Sequence, residues 1–127
     1  DVERSRGLGD VYKRQLLMRA EALNAIDDKT DAKYDCLNEV RRRAGLGEIT
    51  AADNLTKQQF ADVLLEERLH ELCCEHVRRF DLIRFGKLAE QVKAAYDITI
   101  RDFHVLYPIP QSAMDANDAI TENNPGY

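Results

Sequence analysis

Apolar positions return every three or four residues along the first three quarters of the chain, and the elements this spacing predicts are helices. From about Val11 to Ile26, Leu16, Ala20 and Leu23 share one face, with good helix formers between them. Small side chains at Ala20, Ala22 and Ala25 suit close approach of a second helix. Asp27-Asp28 and Thr30-Asp31 interrupt this run and recap the next. A second helix is predicted from about Ala32 to Ala44, with Ala32, Cys36, Leu37, Val40 and Ala44 on one face. Its last turn carries Arg41, Arg42 and Arg43, where cations favour the helix dipole. Gly45 suits a left-handed terminating position, with Leu46 as its apolar partner.

Gly47 to Asn54 reads as a loop, and the next start is well marked. Thr56 and Gln59 make a capping box, while Leu55 and Phe60 make a hydrophobic staple. The helix so begun is expected to continue towards Glu75 and to bend near His76. Gly86 is a second break, followed by a helix over Leu88 to Tyr96 in which Leu88, Val92 and Tyr96 repeat every four residues. Beyond Tyr96 the helical period stops: Ile98 and Ile100 alternate with polar residues, and Phe103 to Pro110 reads as extended chain because Pro108 and Pro110 forbid helix. Ser112 with Asp115 suits one capped turn, and TENNPGY at the end is turn chemistry.

One stretch breaks the amphipathic rule. In Glu66 to Lys87, Glu67, Glu71, Glu75 and Arg78 extend the line of Phe60 and Leu64, beside Leu65, Leu69, Leu72 and Cys73, whereas a surface helix would put its charges opposite the apolar stripe. Charges on an apolar line imply ion pairs at a packed interface. Two chemistries compete for Glu67, Glu71 and Asp81. A glycosidase pair needs one acid kept neutral and one ionised. Three candidate partners, Arg68, Arg78 and Arg84, argue instead for paired, ionised carboxylates. The reading is a structural ion-pair network of Glu67, Arg68, Glu71, Arg78, Asp81 and Arg84, with no catalytic residue among them.

Composition narrows the partners. Eighteen basic and 23 acidic residues give a net charge of −5, which disfavours nucleic acid and anionic membrane surfaces. No apolar run approaches the ~18–20 residues of a membrane span, and the 127 residues allow one domain at most. Cys36, Cys73 and Cys74 do not make a disulfide framework and read as buried small apolar side chains. His70, Cys73, Cys74 and His76 lie close together, but a structural zinc site needs four closed ligands and there is no second paired set, so neither metal nor cofactor is expected. The chain has no Trp, and Phe and Tyr make 7% of residues, a poor supply of flat platforms for sugar stacking.

The charged run, read as ERxxELxxExxRxFDLxRxGK over residues 67–87, resembles the C-terminal signature of the SusD/RagB family. LLMRAEALN at 16–24 and LNEVRRRAGL at 37–46 match upstream, and YPIPQS at 107–112 with NPGY at 124–127 match at the end, in the family's order. The sequence departs from the family pattern at Arg79 and Phe85, where Trp is usual, and at His76, where Gly is usual. Residues 1–15, with two glycines and no sustained period, also depart from it and read as a non-family lead, either an artefactual, disordered adapter remnant or an ordinary polar lead with Asp10 capping a helix, so the family-like portion is residues 16–127.

The resemblance implies a mainly α fold of tetratricopeptide-like helical hairpins followed by an extended irregular tail, with Phe103, Leu106, Tyr107 and Ile109 partly buried where that tail wraps over the helices. It implies the C-terminal portion of a non-catalytic, glycan-binding surface lipoprotein of Bacteroidetes. Such a protein sits on the external face of the outer membrane, beside a SusC-like TonB-dependent transporter to which it delivers oligosaccharide. Contact with the membrane would come only through an N-terminal lipid anchor absent from this chain. Family glycan contacts come mostly from upstream regions, so no glycan-binding residue is carried over. Two other readings remain: a small tetratricopeptide-like adaptor that binds a peptide in a helical groove, and, more weakly, a small glycoside hydrolase.

Overall fold

In the computed structural model, which describes residues 2–27 and 29–127 with side chains from Val11 onward, the described residues form helices and loops with no strand. The chain divides into two units, 1–81 and 82–127.

In the first unit α1 (Val2–Ile26), α2 (Ala32–Arg43) and α3 (Lys57–Glu71) pack on one another. Leu16, Leu17 and Ala20 of α1, Tyr34, Cys36, Leu37 and Val40 of α2, and Phe60, Leu64 and Leu65 of α3 form the core. Helix α1 begins at Val2, earlier than the period from Val11 suggested. Once a helix has nucleated, each added residue gains a hydrogen bond at little cost. The expected lead over residues 1–15 lies outside the described residues at Asp1 and outside the described side chains at 2–10; Tyr12, Lys13 and Arg14 sit on α1 and bond to α2, to the end of α3 and to Glu75 beyond it. Part of the expected break, Asp28, also lies outside the described residues. Asp31 precedes α2 without a side-chain cap.

The end of α2 is a Schellman closure: the Leu46 amide donates to the Arg41 carbonyl (2.9 Å) and the Gly45 amide to that of Arg42 (3.1 Å), with Gly45 at φ +74°. The Asn38 side chain then holds the loop by donating to the Ile49 carbonyl (2.7 Å) and accepting from its amide (2.9 Å). Both halves of the capping box at α3 are made, between Thr56 and Gln59 at 2.9 and 3.2 Å, and Phe60 one turn in is fully buried.

Helix α3 stops at Glu71, four residues short of the expected Glu75. Cys74 and His76 take positive φ (65° and 58°), which no continuing α-helix tolerates. A turn over 72–77 leads into α4 (Arg78–Arg84). The break also corrects the reading of Cys73 and Cys74 as buried: both are exposed, and only Cys36 is buried.

The second unit holds α5 (Leu88–Tyr96), a 3-10 turn over Asp102–Val105, and α6 (Gln111–Asp115). Phe103 to Val105 therefore coil rather than extend, with the Arg101 amide donating to Nδ1 of His104 (3.0 Å). The tail closes on itself. Asn123 exchanges hydrogen bonds with the Ile109 backbone (2.8 and 3.2 Å), Asn124 donates to the Tyr107 carbonyl (2.7 Å), and the Tyr127 hydroxyl donates to that of Leu106 (3.0 Å). Phe103 meets the Tyr127 ring edge-on at 5.0 Å. Phe103 and Ile109 are half-buried, while Leu106 and Tyr107, expected to be partly buried, are exposed. The carbonyls of these two residues accept from the closing residues.

Candidate functional site

The charged residues singled out in the sequence fall into separate clusters. Arg68, near the end of α3, and Asp81, in the first turn of α4, make a two-pronged pair: Nε to Oδ2 and Nη2 to Oδ1, both 2.8 Å. Their side chains are 8% and 4% exposed, so the pair is desolvated, and Nη1 of Arg68 is buried with no hydrogen-bond acceptor. A parallel two-bond fork is the arrangement that best repays desolvation of a guanidinium and a carboxylate.

Glu67 and Glu71 take partners from elsewhere. Glu67 accepts from Nη1 of Arg41 (2.7 Å), whose Nε also donates to the Gly47 carbonyl (2.8 Å). Arg41 thus ties the end of α2, its loop and α3 together. Glu71 pairs with Arg43 of α2 and lies 3.4 Å from the Lys13 ammonium, which donates to the Glu71 carbonyl (3.0 Å). The expected partners of these two acids were Arg68, Arg78 and Arg84. Cations from α1 and α2 take that place because the inward face of α3 is turned towards those helices. Arg78 donates to the Leu65 carbonyl (2.8 Å) and lies 3.6 Å from Glu66. Arg84 belongs to the second unit, where its guanidinium stands 5.4 Å from the Phe85 ring centre.

Past the end of α3, Glu75 faces Lys13 at 2.9 Å and also pairs with Arg14. The hydrogen bond from Lys13, reinforced by Arg14, holds the Glu75 carboxyl below its ordinary range. Burial pulls Lys13 down, but its bonds to Glu75 and its attraction to Glu71 outweigh that and leave it raised. A carboxyl with a depressed folded-state pKa stabilises the fold above its ordinary value of about 4.3 and loses that contribution as pH falls through the folded value. Glu75→Gln should therefore flatten the loss of stability between neutral pH and about pH 3, read as the urea midpoint against pH.

Glu71→Ala separates a braced surface from a sealed one. The Glu71 side chain is 7% exposed, but its partner Arg43 is 65% exposed and regains water when the acid is removed. The expected cost is about 1–2 kcal/mol in urea denaturation, well below the cost of stranding a buried guanidinium.

Sequence reasoning missed a polar side chain that is, among the described residues, the most deeply buried. Lys33 of α2 is fully buried, its ammonium donating to Oδ1 of Asn24 (2.9 Å) and lying 4.5 Å from the Phe60 ring centre and 5.1 Å from that of Tyr34. Asn24 in turn donates to the Lys57 carbonyl (3.0 Å), joining the start of α3 to α1. The sequence held a signal for this, since Lys33 and Leu37 lie four apart on the apolar face.

Every acid of the charged run named above thus faces a cation from another element or from beyond the turn, an arrangement that braces helix ends. Among the described residues no group of three or more His, Cys, Asp or Glu is placed to share a metal ion, and no helix is long and apolar enough to cross a membrane. A groove of about 390 Å³ runs between α1 and α2, lined by Tyr12, Arg19, Asp35 and Glu39 among others. In the second unit a hollow of about 210 Å³ is lined mostly by apolar side chains, including Leu82, Leu88 and Ile100.

A family model described as the SusD family matches residues 9–127. Among individual proteins, SusD-like protein P25 of Formosa agariphila is 34% identical, the match covering 94% of this chain and 24% of that protein. SusD-like protein P2 of the same organism is 30% identical over 91% of this chain and 25% of its own length, and SusD-like protein P38 is 29% identical over 90% and 23%. The chain thus spans about a quarter of the length of the relatives it matches. No solved structure matches it significantly.

Proposed function

The chain belongs to the SusD family, and from that premise we propose that it serves as scaffold in non-catalytic binding of glycan at the cell surface. In this reading residues 16–127 are the C-terminal portion of a larger SusD-like domain. That domain stands on the external face of the outer membrane and delivers oligosaccharide to a SusC-like TonB-dependent transporter. The family match over residues 9–127 carries the reading.

The chemistry of the charged run is compatible with it. Glu67, Glu71 and Asp81 are each engaged by a guanidinium, and Glu71 by Lys13 as well. Binding of a neutral sugar by hydrogen bonds and stacking calls for no general acid, base or nucleophile. Glu67, Arg68, Glu71, Arg78, Asp81 and Arg84 are accordingly assigned to holding the scaffold rather than to touching ligand. Isothermal titration calorimetry of the longer protein that carries this sequence, against a panel of neutral oligosaccharides, tests the reading. At least one should bind without being cleaved, and Glu71→Gln should leave that binding unchanged. Cleavage of an oligosaccharide that Glu71→Gln abolishes in a folded protein would overturn it.

A further inference from the structure

The turn between α3 and α4 places two thiols side by side in solvent. Cys73 and Cys74 are both exposed, with their sulfurs 3.7 Å apart. Unpaired cysteine is among the most frequently buried residue types, so two adjacent exposed thiols run against the usual distribution. The turn they occupy is well defined: the Leu72 carbonyl accepts from the Glu75 amide at 3.1 Å, which leaves Cys73 and Cys74 as its two central residues. Cys74 takes φ +65° there, a position where glycine or asparagine is the usual choice. A β-carbon is thus kept where the backbone favours none, and it carries a sulfur that touches its neighbour's.

We propose that Cys73 and Cys74 are a redox-modification site, a vicinal dithiol that closes to a disulfide within this turn when a low-molecular-weight disulfide such as oxidised glutathione is present. The Cys73 thiolate attacks one sulfur of the small disulfide, forms a mixed disulfide and releases one small thiolate. Cys74, its proton lost to solvent, then attacks the Cys73 sulfur and expels the second small thiolate. Two protein thiols are oxidised, one external disulfide is reduced to two thiols, and the two protons end on those thiols. The sulfurs must approach by roughly 1.7 Å to reach the bonded distance of about 2.05 Å. Adjacent Cα atoms, about 3.8 Å apart, are closer than the usual disulfide range of about 4.4–6.8 Å, so the ring is strained and readily reduced again. The contact with Cys73 raises the Cys74 thiol above its ordinary range, so closure quickens as pH rises. Cys36, buried in the core, takes no part and serves as an internal control. The site stands whether or not the chain binds glycan.

The test is intact-mass spectrometry and maleimide labelling of the 127-residue chain after exposure to oxidised glutathione, alongside C73S and C74S. The wild type should lose about 2 Da and two maleimide-reactive thiols together, both restored by dithiothreitol, while each variant retains a glutathione adduct of about 305 Da. Stable adducts on both cysteines of the wild type, covalent dimers in place of the 2 Da loss, or thiols that stay reactive in all three proteins would each overturn the proposal.

Discussion

Replacing Asp81 with alanine is expected to cost about 3–5 kcal/mol, because it strands a desolvated guanidinium. The Arg68 guanidinium opposite it is desolvated, and its Nη1 already lacks an acceptor. Removing the carboxylate takes away both 2.8 Å bonds and leaves a desolvated guanidinium without its counter-charge. Against a typical total stability of about 5–15 kcal/mol, that change decides whether the folded state is well populated at 37 °C. Urea denaturation followed by circular dichroism checks it, with Asp81→Asn as the companion. Asn keeps an acceptor for one prong but not the charge, so its cost should fall between wild type and Ala. The single variants Arg68→Leu and Asp81→Leu and their double variant form a cycle. The double variant should cost clearly less than the sum of the single changes, because the stranded charge goes with its partner. A cost below about 1 kcal/mol for Asp81→Ala would mean that the pair is hydrated in solution.

Phe60→Ala is expected to cost at least as much, about 3–5 kcal/mol, for a different reason. Phe60 is fully buried at the first turn of α3, where it packs edge-on against Tyr34 with ring centres 5.1 Å apart and offers its face to the Lys33 ammonium. Alanine leaves a void the size of a ring beside a buried cation, so the lost apolar burial is joined by the loss of an electrostatic partner. Phe60→Leu distinguishes the two contributions: it retains most of the volume but not the π face, and should cost about 1–2 kcal/mol. If Leu costs as much as Ala, the ring face matters more than the filled volume, and Lys33→Met in the Phe60→Leu background should then recover part of the loss.

Two helix boundaries were legible in the sequence because a local signal marks each of them. The Thr56–Gln59 capping box fixes where α3 starts, and Gly45 ends the α2 turn, because each acts through hydrogen bonds among residues a few positions apart. The end of α3 was not legible. Leu72 to His76 contain no glycine or proline, and the chain leaves the helix through non-glycine residues at positive φ. The misreading of Cys73 and Cys74 as core followed directly, since it assumed a helical phase that the chain had already left.

The charged cluster divides along the same line. That acids and arginines standing on an apolar line would pair could be read from residue order and helical phase alone, and so could the all-helical class of the described chain and the motifs that place it in the SusD family. Which cation meets which acid could not. Arg41 reaching Glu67, Lys13 bridging Glu71 and Glu75, and Asn24 holding Lys33 join residues 9 to 62 positions apart in sequence. Such pairs depend on how one helix is rotated against another, and that rotation is set by the packing of Leu17, Leu37, Phe60 and Leu64. Local hydrogen bonding and hydrophobic period therefore determined the elements and their family, whereas close packing of side chains from three helices decided which charges are buried, which are braced and which thiols face solvent.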